Sequence, residues 1–387
     1  MMSQAQSLLT ISYDDNYIKN AKQAVINKDP DKLKALDAFV KQANKALKVV
    51  PPSVADKDKV PPSGDKRDYM SLAPYWFPDS TKPDGKPYIR RDGVRNPEIF
   101  DYKERENIKV MGDGAINCAV VYYFTGDEQY AQKAADFLRA WFLDPQKGMN
   151  PNFNYAQAVI GRNEGRGAGL IEARIFIPVM NAAKLLEGSK AWTDKDKTEL
   201  QAWFKAFLEW METSKVGKEE MAAQNNHGTF YDASRLAMCL YTDQFSKGKD
   251  IVNNSALNRI FNQQTKDGEM PHELVRTLAM HYTTFNLEAM VLIATMAEKI
   301  DIDVYNYTDG QGRNIQRYVD FMLPYYAQEE EWTYPQIKPF DYDRAATLLQ
   351  IFGVKMHTAE YIKVAERITS NNPKAKETLL GQQSITQ

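Results

Sequence analysis

The sequence of 387 residues lacks the features that mark several common protein classes. Its two cysteines, Cys118 and Cys239, lie in separate apolar stretches without a CxxC or CxxH neighbour, so no zinc module is indicated. No uninterrupted apolar run approaches the roughly 18 residues that a membrane-spanning helix needs. The start, Met1-Met2-Ser3-Gln4, lacks both the basic and the apolar part of an export signal, which leaves the compartment undetermined by the sequence itself.

An excess of charge of either sign is also missing. The chain has 49 basic and 51 acidic residues, for a formal net charge of −2. Because nucleic-acid-binding proteins usually carry a basic excess, that class is not favoured, and any attraction for a polyanion must come from a local basic cleft. Aromatic residues are plentiful, with 21 Tyr, 17 Phe and 6 Trp. We expect most of them in the core, although sugar-binding clefts use the same side chains as stacking surfaces.

Helical periodicity dominates the chain, whereas strand-like alternation is scarce. With short Gly, Pro and Asp turns between the helical segments, the pattern predicts an all-α fold, an (α/α) toroid or barrel of antiparallel helix pairs. At roughly 150 residues per domain the length would suggest two or three domains. Helical barrels grow around one core, however, so we expect one domain over residues 1–387. The predicted helices are 12–27, 31–48, 105–124, 127–143, 165–187, 194–213, 229–242, 255–265, 282–299, 311–327, 341–352 and 356–369.

One segment, residues 50–100, interrupts the helical pattern with nine prolines and little periodicity. Loops of this length inside a compact domain are uncommon and are usually functional or disordered. The aromatic residues of this segment argue against disorder, and they are Tyr69, Tyr75, Trp76, Phe77 and Tyr88. We therefore expect a long ordered loop near residues 50–100 that borders a cleft.

Polar side chains that could hold an anion lie together in the segment from Gln224 to Thr229. Asn225, Asn226 and His227 stand between two apolar helical segments, at the entry of the second. Because the first turn of a helix presents free N–H groups, two amides and an imidazole here form a group of donors. The simpler interpretation is that Asn225 and Asn226 only cap the helix that begins near Thr229.

A second cluster runs from Glu269 to Arg276 and is followed by Tyr282. After the pair His272-Glu273, Arg276 stands where a zinc protease would have its second histidine, so that pattern fails. Arg276 and Tyr282 are six residues apart, which on one continuous helix separates them by about 120°. They can face one cleft if Arg276 lies in the lead-in and Tyr282 in the first turns of the helix. Taken alone, a tyrosine on a helix is more often part of the core.

Together these groups match what β-elimination from a uronate requires. Removal of the proton at C5, next to a carboxylate, creates an enolate dianion, which amide, imidazole and guanidinium donors can stabilise. A base must take the proton, and an acid must protonate the departing O4. A tyrosine can do both, but lowering its pKa from ~10 to about 7 requires roughly 4 kcal/mol of preference for the phenolate. Arg276 and His227 are the expected source of that preference. The sequence shows no clustered set of metal ligands that could replace them.

The combination of Asn225-Asn226-His227 with Arg276 and Tyr282 resembles the alginate lyase superfamily, with its neutralising Asn/His pair and catalytic Arg/Tyr pair. The likeness covers residues 65–345, which we take as the catalytic core, and is closer to polysaccharide lyase family 38 than to family 5. It implies an (α/α) toroid, a periplasmic or secreted bacterial protein, and no metal or other cofactor. Further similar segments are Tyr69-Met70-Ser71-Leu72-Ala73-Pro74-Tyr75-Trp76, Asn152-Phe153-Asn154-Tyr155-Ala156-Gln157, and Gly165-Arg166-Gly167 followed by Ile171-Glu172-Ala173-Arg174.

Carried over residue by residue, the resemblance implies that Tyr282 is both base and acid. His227 and Asn226 would neutralise the substrate carboxylate, and Arg276 would lower the pKa of Tyr282 or join the neutralising groups. The expected partner is an anionic polysaccharide, bound by a monomer. The candidate sugar-binding residues are Asn225, Tyr155, Gln157, Tyr75, Trp76, Arg166 and Arg174.

Stereochemistry orders the possible substrates. In β-mannuronate and in glucuronate the C5 proton and O4 lie on the same face, so that one tyrosine can take and return the proton. Guluronate presents them on opposite faces, and His227 would then be the base. We therefore expect mannuronate-rich alginate first and glucuronan second.

Two other functions remain open at this point. One is a glycoside hydrolase of the (α/α) barrel type, which would need two carboxylates across a cleft. The other is a polysaccharide-binding protein without catalytic activity. Candidate carboxylates for the hydrolase exist but form no obvious pair in the sequence, and they are Glu164, Asp232, Glu269 and Glu273.

Overall fold

The computed structural model describes residues 8–371 and 379–381, and α-helices make up most of this part of the chain. The prediction of an all-α fold is confirmed. In chain order the helices are α1 (Asp15–Ile26), α2 (Pro30–Leu47), α3 (Glu104–Thr125), α4 (Glu128–Leu138), α5 (Phe176–Leu185), α6 (Asp194–Thr213), α7 (Lys215–Met221), α8 (Asn226–Tyr241), α9 (Phe245–Ile251), α10 (Leu257–Asn262), α11 (Pro271–Leu274), α12 (Ala279–Glu298), α13 (Gln316–Tyr326), α14 (Tyr342–Lys355) and α15 (Ala359–Asn371).

The ends of several helices follow from the residues next to the periodic segments. Gly126 ends α3 with a φ of 74°, a conformation that costs glycine little. Directly after it, the carboxylate of Asp127 accepts the Gln129 N–H and so caps α4. Helix α6 begins with a capping box in which Thr193 and Asp196 each accept the other's backbone N–H. Local sequence therefore determines where these helices begin and end.

Neighbouring helices form a closed circuit. Helix α1 packs on α2, α2 on α3, α3 on α5, α5 on α8, α8 on α12, and α12 on α14. Ion pairs to the start of α1 close this circuit, with Lys355 Nζ 3.2 Å from Asp14 and Lys299 Nζ 2.7 Å from Asp15. The arrangement agrees with the predicted toroid of helices.

One hydrophobic cluster extends through the described residues from Ile11 to Leu380. Its aromatic members include Phe176 of α5, which packs against the rings of Trp203 and Phe207 of α6 at centroid distances of 5.5 Å. Such ring pairs contribute roughly 0.5–1.5 kcal/mol each beyond the burial of their surface. Much of the aromatic content is therefore core, as expected, while the single domain over residues 1–387 stays a prediction.

Four short strands fix the long loop to the rest of the protein. β1 (Met70–Leu72) pairs in parallel with β4 (Tyr155–Ala158), and β2 (Trp76–Phe77) pairs antiparallel with β3 (Ile89–Arg90). A buried ion pair, with 2.7 Å between Lys57 Nζ and Glu104 Oε1, ties the beginning of the loop to α3. The segment near residues 50–100 is thus an ordered loop, as predicted.

The structure departs from the predicted helices where the winding of the backbone changes. The sequence predicts one helix over residues 165–187, but Gly167–Ile175 forms a 3₁₀-helix before α5 begins. Turns of π-helix follow α4 at Arg139–Leu143 and precede α10 at Val252–Ala256. Helices α7, α9 and α11 escape prediction because segments of at most seven residues carry too little periodicity.

The structure agrees with the sequence that membrane-spanning helices are not indicated in the described part of the chain. Among the described residues, no helix combines the length and the apolar character that a membrane span requires. The segment Met1 to Gln4 lies outside the described residues, so the inference drawn from it stays a prediction.

Close packing between the 3₁₀-helix and β4 gives a test of the fold around the site. A Cβ atom added at Gly169 would lie 2.5 Å from both the Cβ and the carbonyl oxygen of Ala156. We expect Gly169→Ala to force these segments apart and to lower the free energy of unfolding by roughly 1–3 kcal/mol. Gly310→Ala is the matched control, because nothing lies within 4 Å of its added Cβ. Thermal denaturation of both variants measures the difference, and equal melting temperatures would contradict the predicted clash.

Candidate active site

Arg276 and Tyr282 lie on either side of the point where α12 begins, at Ala279. The guanidinium carbon of Arg276 is 3.7 Å from the centroid of the Tyr282 ring, so the cation rests on the aromatic face. The Tyr282 hydroxyl donates to the hydroxyl of Tyr75, 2.8 Å away, which the long loop supplies. The structure thus has Arg276 in the lead-in and Tyr282 in the first turn of the helix, as the six-residue spacing suggested.

Asp92 of the long loop holds Arg276 in this position. Its Oδ1 accepts from Nη2 of Arg276 at 2.8 Å, and its Oδ2 accepts from Nε at 3.0 Å. The same carboxylate accepts the N–H of Thr277 at 3.3 Å and a hydrogen bond from Arg90 at 2.6 Å. Burial opposes the ionisation of Asp92, but the hydrogen bonds and charge of Arg276 hold its pKa well below the usual range. The pair is therefore a bidentate ion pair at neutral pH.

The pKa of Tyr282 is raised above that of a free phenol, contrary to the lowered value expected from the sequence. Burial is the main cause, since the residue is only 8% exposed, and the neighbouring Tyr75 adds to it. The charge of Arg276 acts in the opposite direction, but it lies over the ring and is shared with Asp92. Tyr282 is accordingly a neutral phenol before substrate binds.

Asn226, the first residue of α8, is bound to a buried carboxylate. Its side-chain amide donates to both oxygens of Glu273, at 3.0 and 2.9 Å, and its backbone N–H donates to Oε1 at 2.6 Å. Asn226 is 1% exposed and Glu273 is 0% exposed. Burial raises the pKa of Glu273, although the hydrogen bonds from Asn226 act against this rise. Asn226 is therefore an amide fixed in orientation by its acidic neighbour.

His227 forms a comparable pair with Glu220 of α7. Nδ1 of the imidazole lies 2.7 Å from Oε1 of Glu220, whose side chain is 4% exposed, against 23% for His227. A carboxylate at Nδ1 favours the tautomer that carries its proton there, which leaves Nε2 as the acceptor. Asn225 is the N-cap of α8, and its side chain accepts the His227 N–H at 3.2 Å. The capping interpretation therefore holds for Asn225 and fails for Asn226.

Glu273 joins the two clusters into one site. The N–H of Arg276 donates to the Glu273 carbonyl at 3.1 Å, just after the short helix α11. The charge of Arg276 and, when its ring is protonated, that of His227 both act on the carboxyl group of Glu273, so the three side chains are electrostatic neighbours. In the part of the chain that the structure describes, no group of three or more Asp, Glu, His or Cys side chains could hold a metal ion.

Several of the candidate sugar-binding residues are in contact with one another. Arg166 donates through Nε to the backbone carbonyl of Gln157 at 3.1 Å and through Nη2 to its side-chain oxygen at 3.0 Å. The Arg166 guanidinium also lies 6.0 Å from the centroid of the Trp76 ring. Gln157 has a φ of 48°, a conformation that costs such a residue roughly 1–3 kcal/mol and that its surroundings must impose. Tyr155 lies two residues earlier on β4 and is half-buried.

Arg174 has a different environment from this group. Its Nη1 donates to the Ile171 carbonyl at 3.0 Å, and its guanidinium is 5.5 Å from the Phe285 ring of α12. Its Nε is buried without a hydrogen-bond partner among the described residues. Burial lowers the pKa of Arg174 to about 10, and the like charge of Arg105 contributes. Arg174 therefore packs against α12, and its role in sugar binding stays a prediction.

The carboxylates considered for a hydrolase have separate environments. Asp232 is buried in an ion pair with Arg259, with 2.7 Å between Oδ2 and Nε. Glu269 accepts a hydrogen bond from the Tyr334 hydroxyl at 2.9 Å, and Glu164 is exposed. With Glu273 bound to Asn226, three of the four are engaged by other partners, which does not favour the free carboxylate pair that glycoside hydrolysis needs.

Asp92 and Glu220 were not identified from the sequence, and Glu273 was considered only for the hydrolase. Each of the three pairs with one predicted site residue. Asp92 and Arg276 are 184 residues apart, so no local pattern could have linked them. Glu220 lies seven residues before His227 but on the short helix α7, which periodicity does not reveal.

A family model for alginate lyase matches residues 53–332. The chain belongs to the alginate lyase family. The match spans every residue discussed above as part of the site, and the superfamily recognised in the sequence is confirmed. The finer assignment, closer to polysaccharide lyase family 38 than to family 5, stays a prediction.

Solved structures show the same family. An alginate lyase from Bacteroides ovatus is 39% identical, with a TM-score of 0.92 over 97% of this chain and 99% of that chain. Alginate lyase A1-III from Sphingomonas species A1 is 15% identical, with a TM-score of 0.57 over 93% of this chain and 92% of that chain. At that identity the likeness to A1-III shows the fold alone. The comparison with curated proteins gives no significant match.

The ion pair between Asp92 and Arg276 predicts a pH-dependent contribution to stability. A carboxyl whose pKa is lowered on folding stabilises the protein above its unfolded pKa of ~3.9, and this contribution is lost as the pH falls through the folded value. We expect Asp92→Asn to lower the melting temperature at neutral pH and to differ less from the wild type as the pH falls below about 4. Asp84→Asn, an exposed change in the same loop, should have little effect. A difference in melting temperature between Asp92→Asn and the wild type that does not depend on pH would contradict a stabilising ion pair.

Proposed function

We propose that this member of the alginate lyase family cleaves alginate by β-elimination. The observation that carries the proposal is the contact of the Tyr282 phenol with the Arg276 guanidinium on its ring and the Tyr75 hydroxyl at 2.8 Å. Asn226 and His227, which are linked to Arg276 through Glu273, supply further donors to the site. The 39% identity to the Bacteroides ovatus alginate lyase supports the same activity.

The substrate carboxylate needs neutralising partners while the C5 proton leaves. His227 and Asn226 take this role, since the imidazolium form of His227 can donate through Nε2 while Glu220 accepts from Nδ1, and the Asn226 amide can donate beside it. Arg276 adds a positive charge nearby, and no metal ion is needed for this step. Burial raises the pKa of Glu273, which weakens the opposition of this carboxyl group to an anionic substrate.

Proton transfer runs through Tyr282. The phenolate takes the proton from C5, the C5–H electron pair becomes the C4–C5 double bond, and the C4–O4 bond breaks. The phenol that results gives its proton to O4 of the departing chain, and the residue returns to the phenolate. Before the cycle begins, the neutral phenol must lose a proton, and its hydrogen bond to the half-buried Tyr75 provides a path for that proton.

The single-tyrosine mechanism suits uronates in which the C5 proton and O4 share a face. Mannuronate-rich alginate is therefore the first substrate and glucuronan the second. For guluronate the base must approach from the other side, and Nε2 of His227 is the group available for it, because Glu220 engages Nδ1.

The setting of the enzyme is also part of the proposal. We infer a periplasmic or secreted protein, because a long anionic polysaccharide does not cross a membrane unaided. We also propose that the enzyme acts as a monomer.

Digestion of polymannuronate, polyguluronate and glucuronan side by side tests the reaction and the substrate order. Elimination leaves a C4–C5 double bond next to the carboxylate, which absorbs in the ultraviolet, whereas hydrolysis leaves none. We expect absorbance to rise fastest with polymannuronate. Formation of reducing ends without this absorbance would show hydrolysis and would contradict the proposed β-elimination.

Tyr282→Phe is the sharpest single change, since it removes one hydroxyl and keeps the ring under Arg276. We expect activity to fall by at least roughly 1,000-fold, because both proton transfers lose their carrier. The melting temperature should change little, as only the bond to the Tyr75 hydroxyl is lost. The matched control is Tyr307→Phe, a surface tyrosine that should keep full activity. Substantial turnover by the Tyr282 variant would exclude this residue from the mechanism.

The raised pKa of Tyr282 predicts an alkaline pH dependence. Below its pKa the phenolate is a minor species, and its fraction grows about tenfold with each pH unit. If the phenolate is the base, kcat/KM should rise steadily with pH and should not level off below ~10, the ordinary value for a phenol. Measurement of kcat/KM on polymannuronate across this range tests the assignment. A plateau that begins near neutral pH would assign proton removal to another group, such as His227.

A further inference from the structure

Two arginine side chains lie over the ring of Trp76 in the long loop. The guanidinium carbons of Arg162 and Arg166 lie 5.0 and 6.0 Å from the centroid of the Trp76 ring. At such distances an aromatic face attracts a cation, and a stacked guanidinium keeps its N–H edges free for hydrogen bonds. Trp76 is half-buried, so part of its ring stays accessible.

Arg162 was not among the residues identified from the sequence. Of its guanidinium nitrogens, Nε is the one that a hydrogen bond holds among the described residues. Its Nε donates to the Tyr88 carbonyl at 2.9 Å. The preceding Gly161 has a φ of 78° and approaches Pro87 so closely that a Cβ would lie 2.9 Å from the Pro87 Cα. The side chain is exposed, and its terminal nitrogens have no partner among the described residues. A guanidinium with a fixed Nε and two open terminal nitrogens is suited to bind a carboxylate with both of them.

Three arginines lie near Trp76, namely Arg162, Arg166 and Arg90. Arg166 is anchored to Gln157, and Arg90 is the partner of Trp76 in the strand pair β2–β3. Burial lowers the pKa of Arg166 most; among nearby charges, Glu220 raises it more than Arg90 lowers it. A carboxylate bound by Arg162 would therefore have two further arginines nearby, Arg166 and Arg90.

The same loop connects these arginines to the catalytic centre. Tyr75, whose hydroxyl lies 2.8 Å from that of Tyr282, directly precedes Trp76. Trp76 also pairs with Arg90, whose side chain donates to Asp92, the partner of Arg276, so Trp76 lies close to the reacting centre. A polymer bound at Tyr282 would pass Trp76 with a neighbouring sugar unit.

We propose that Trp76, Arg162 and Arg166 form a second carboxylate-binding subsite, which takes a uronate next along the polymer from the one being cleaved. The inference rests on the proposed function, because it requires the polymer to pass Tyr282. The indole face packs on the pyranose ring, and the terminal nitrogens of Arg162 bind its carboxylate. A neutral polysaccharide has no group for Arg162, so the subsite selects chains rich in uronate.

Steady-state kinetics of Arg162→Gln on polymannuronate test the subsite. We expect KM to rise roughly 10-fold, the effect of losing one charge-assisted hydrogen bond pair, with kcat changed by less than about 2-fold. Arg162→Lys keeps the charge but not the planar fork, and should give an intermediate KM. Added salt should reduce the difference in KM between the wild type and Arg162→Gln, because salt screens the exposed charge of Arg162. Arg95→Gln, which removes an exposed charge from the same loop, is the matched control and should keep the wild-type KM.

The outcomes separate the subsite from the proposed function. An unchanged KM for Arg162→Gln, an equal rise for Arg95→Gln, or a fall in kcat alone would overturn the subsite while leaving the lyase activity in place. If the wild type forms no unsaturated product from any uronate polymer, the proposed function fails. Calorimetric binding of polymannuronate to the wild type and to Arg162→Gln then decides about the subsite, and equal affinities would refute it.

Discussion

The ion pair between Asp92 and Arg276 is the contact on which the rest of the site depends. It joins a loop without α-helix to the beginning of α12, and it fixes the guanidinium on the ring of Tyr282. The same contact brings Tyr75 and Trp76 to the phenol, because they belong to that loop. It also has a cost, since a guanidinium shared with a carboxylate lowers the pKa of a buried tyrosine less than a free one would.

The remaining polar groups follow the same principle, in which each donor has its own acidic neighbour. Glu273 orients the amide of Asn226, and Glu220 orients the imidazole of His227. Both carboxyl groups are buried, so each donor is fixed before any substrate arrives and little reorganisation is needed during the reaction. The acidic partners lie on α7 and α11, two short helices that approach the beginning of α8.

How much of this could be read from the sequence depends on the range of the interaction. Periodicity gave the helices and the fold class, and the chemistry of Asn226, His227, Arg276 and Tyr282 stood out because each residue lies at a helix entry. Asp92 could not be connected with Arg276, since nothing local relates two residues 184 positions apart. The pKa of Tyr282 was expected in the wrong direction because it is controlled by burial, which a sequence motif does not express.

Closure of the toroid brings the first and last described segments of the chain together. Lys355 reaches Asp14, and a Cβ added at Gly381 would lie 3.2 Å from the ring of Tyr17 in α1. The same ring of helices could therefore form from a chain that begins at a different helix. A circularly permuted chain, with the segments before α1 and after α15 linked and a new opening in an exposed turn between two helices, would retain the helix contacts of the ring, so long as the cut spares the loop that carries Asp92.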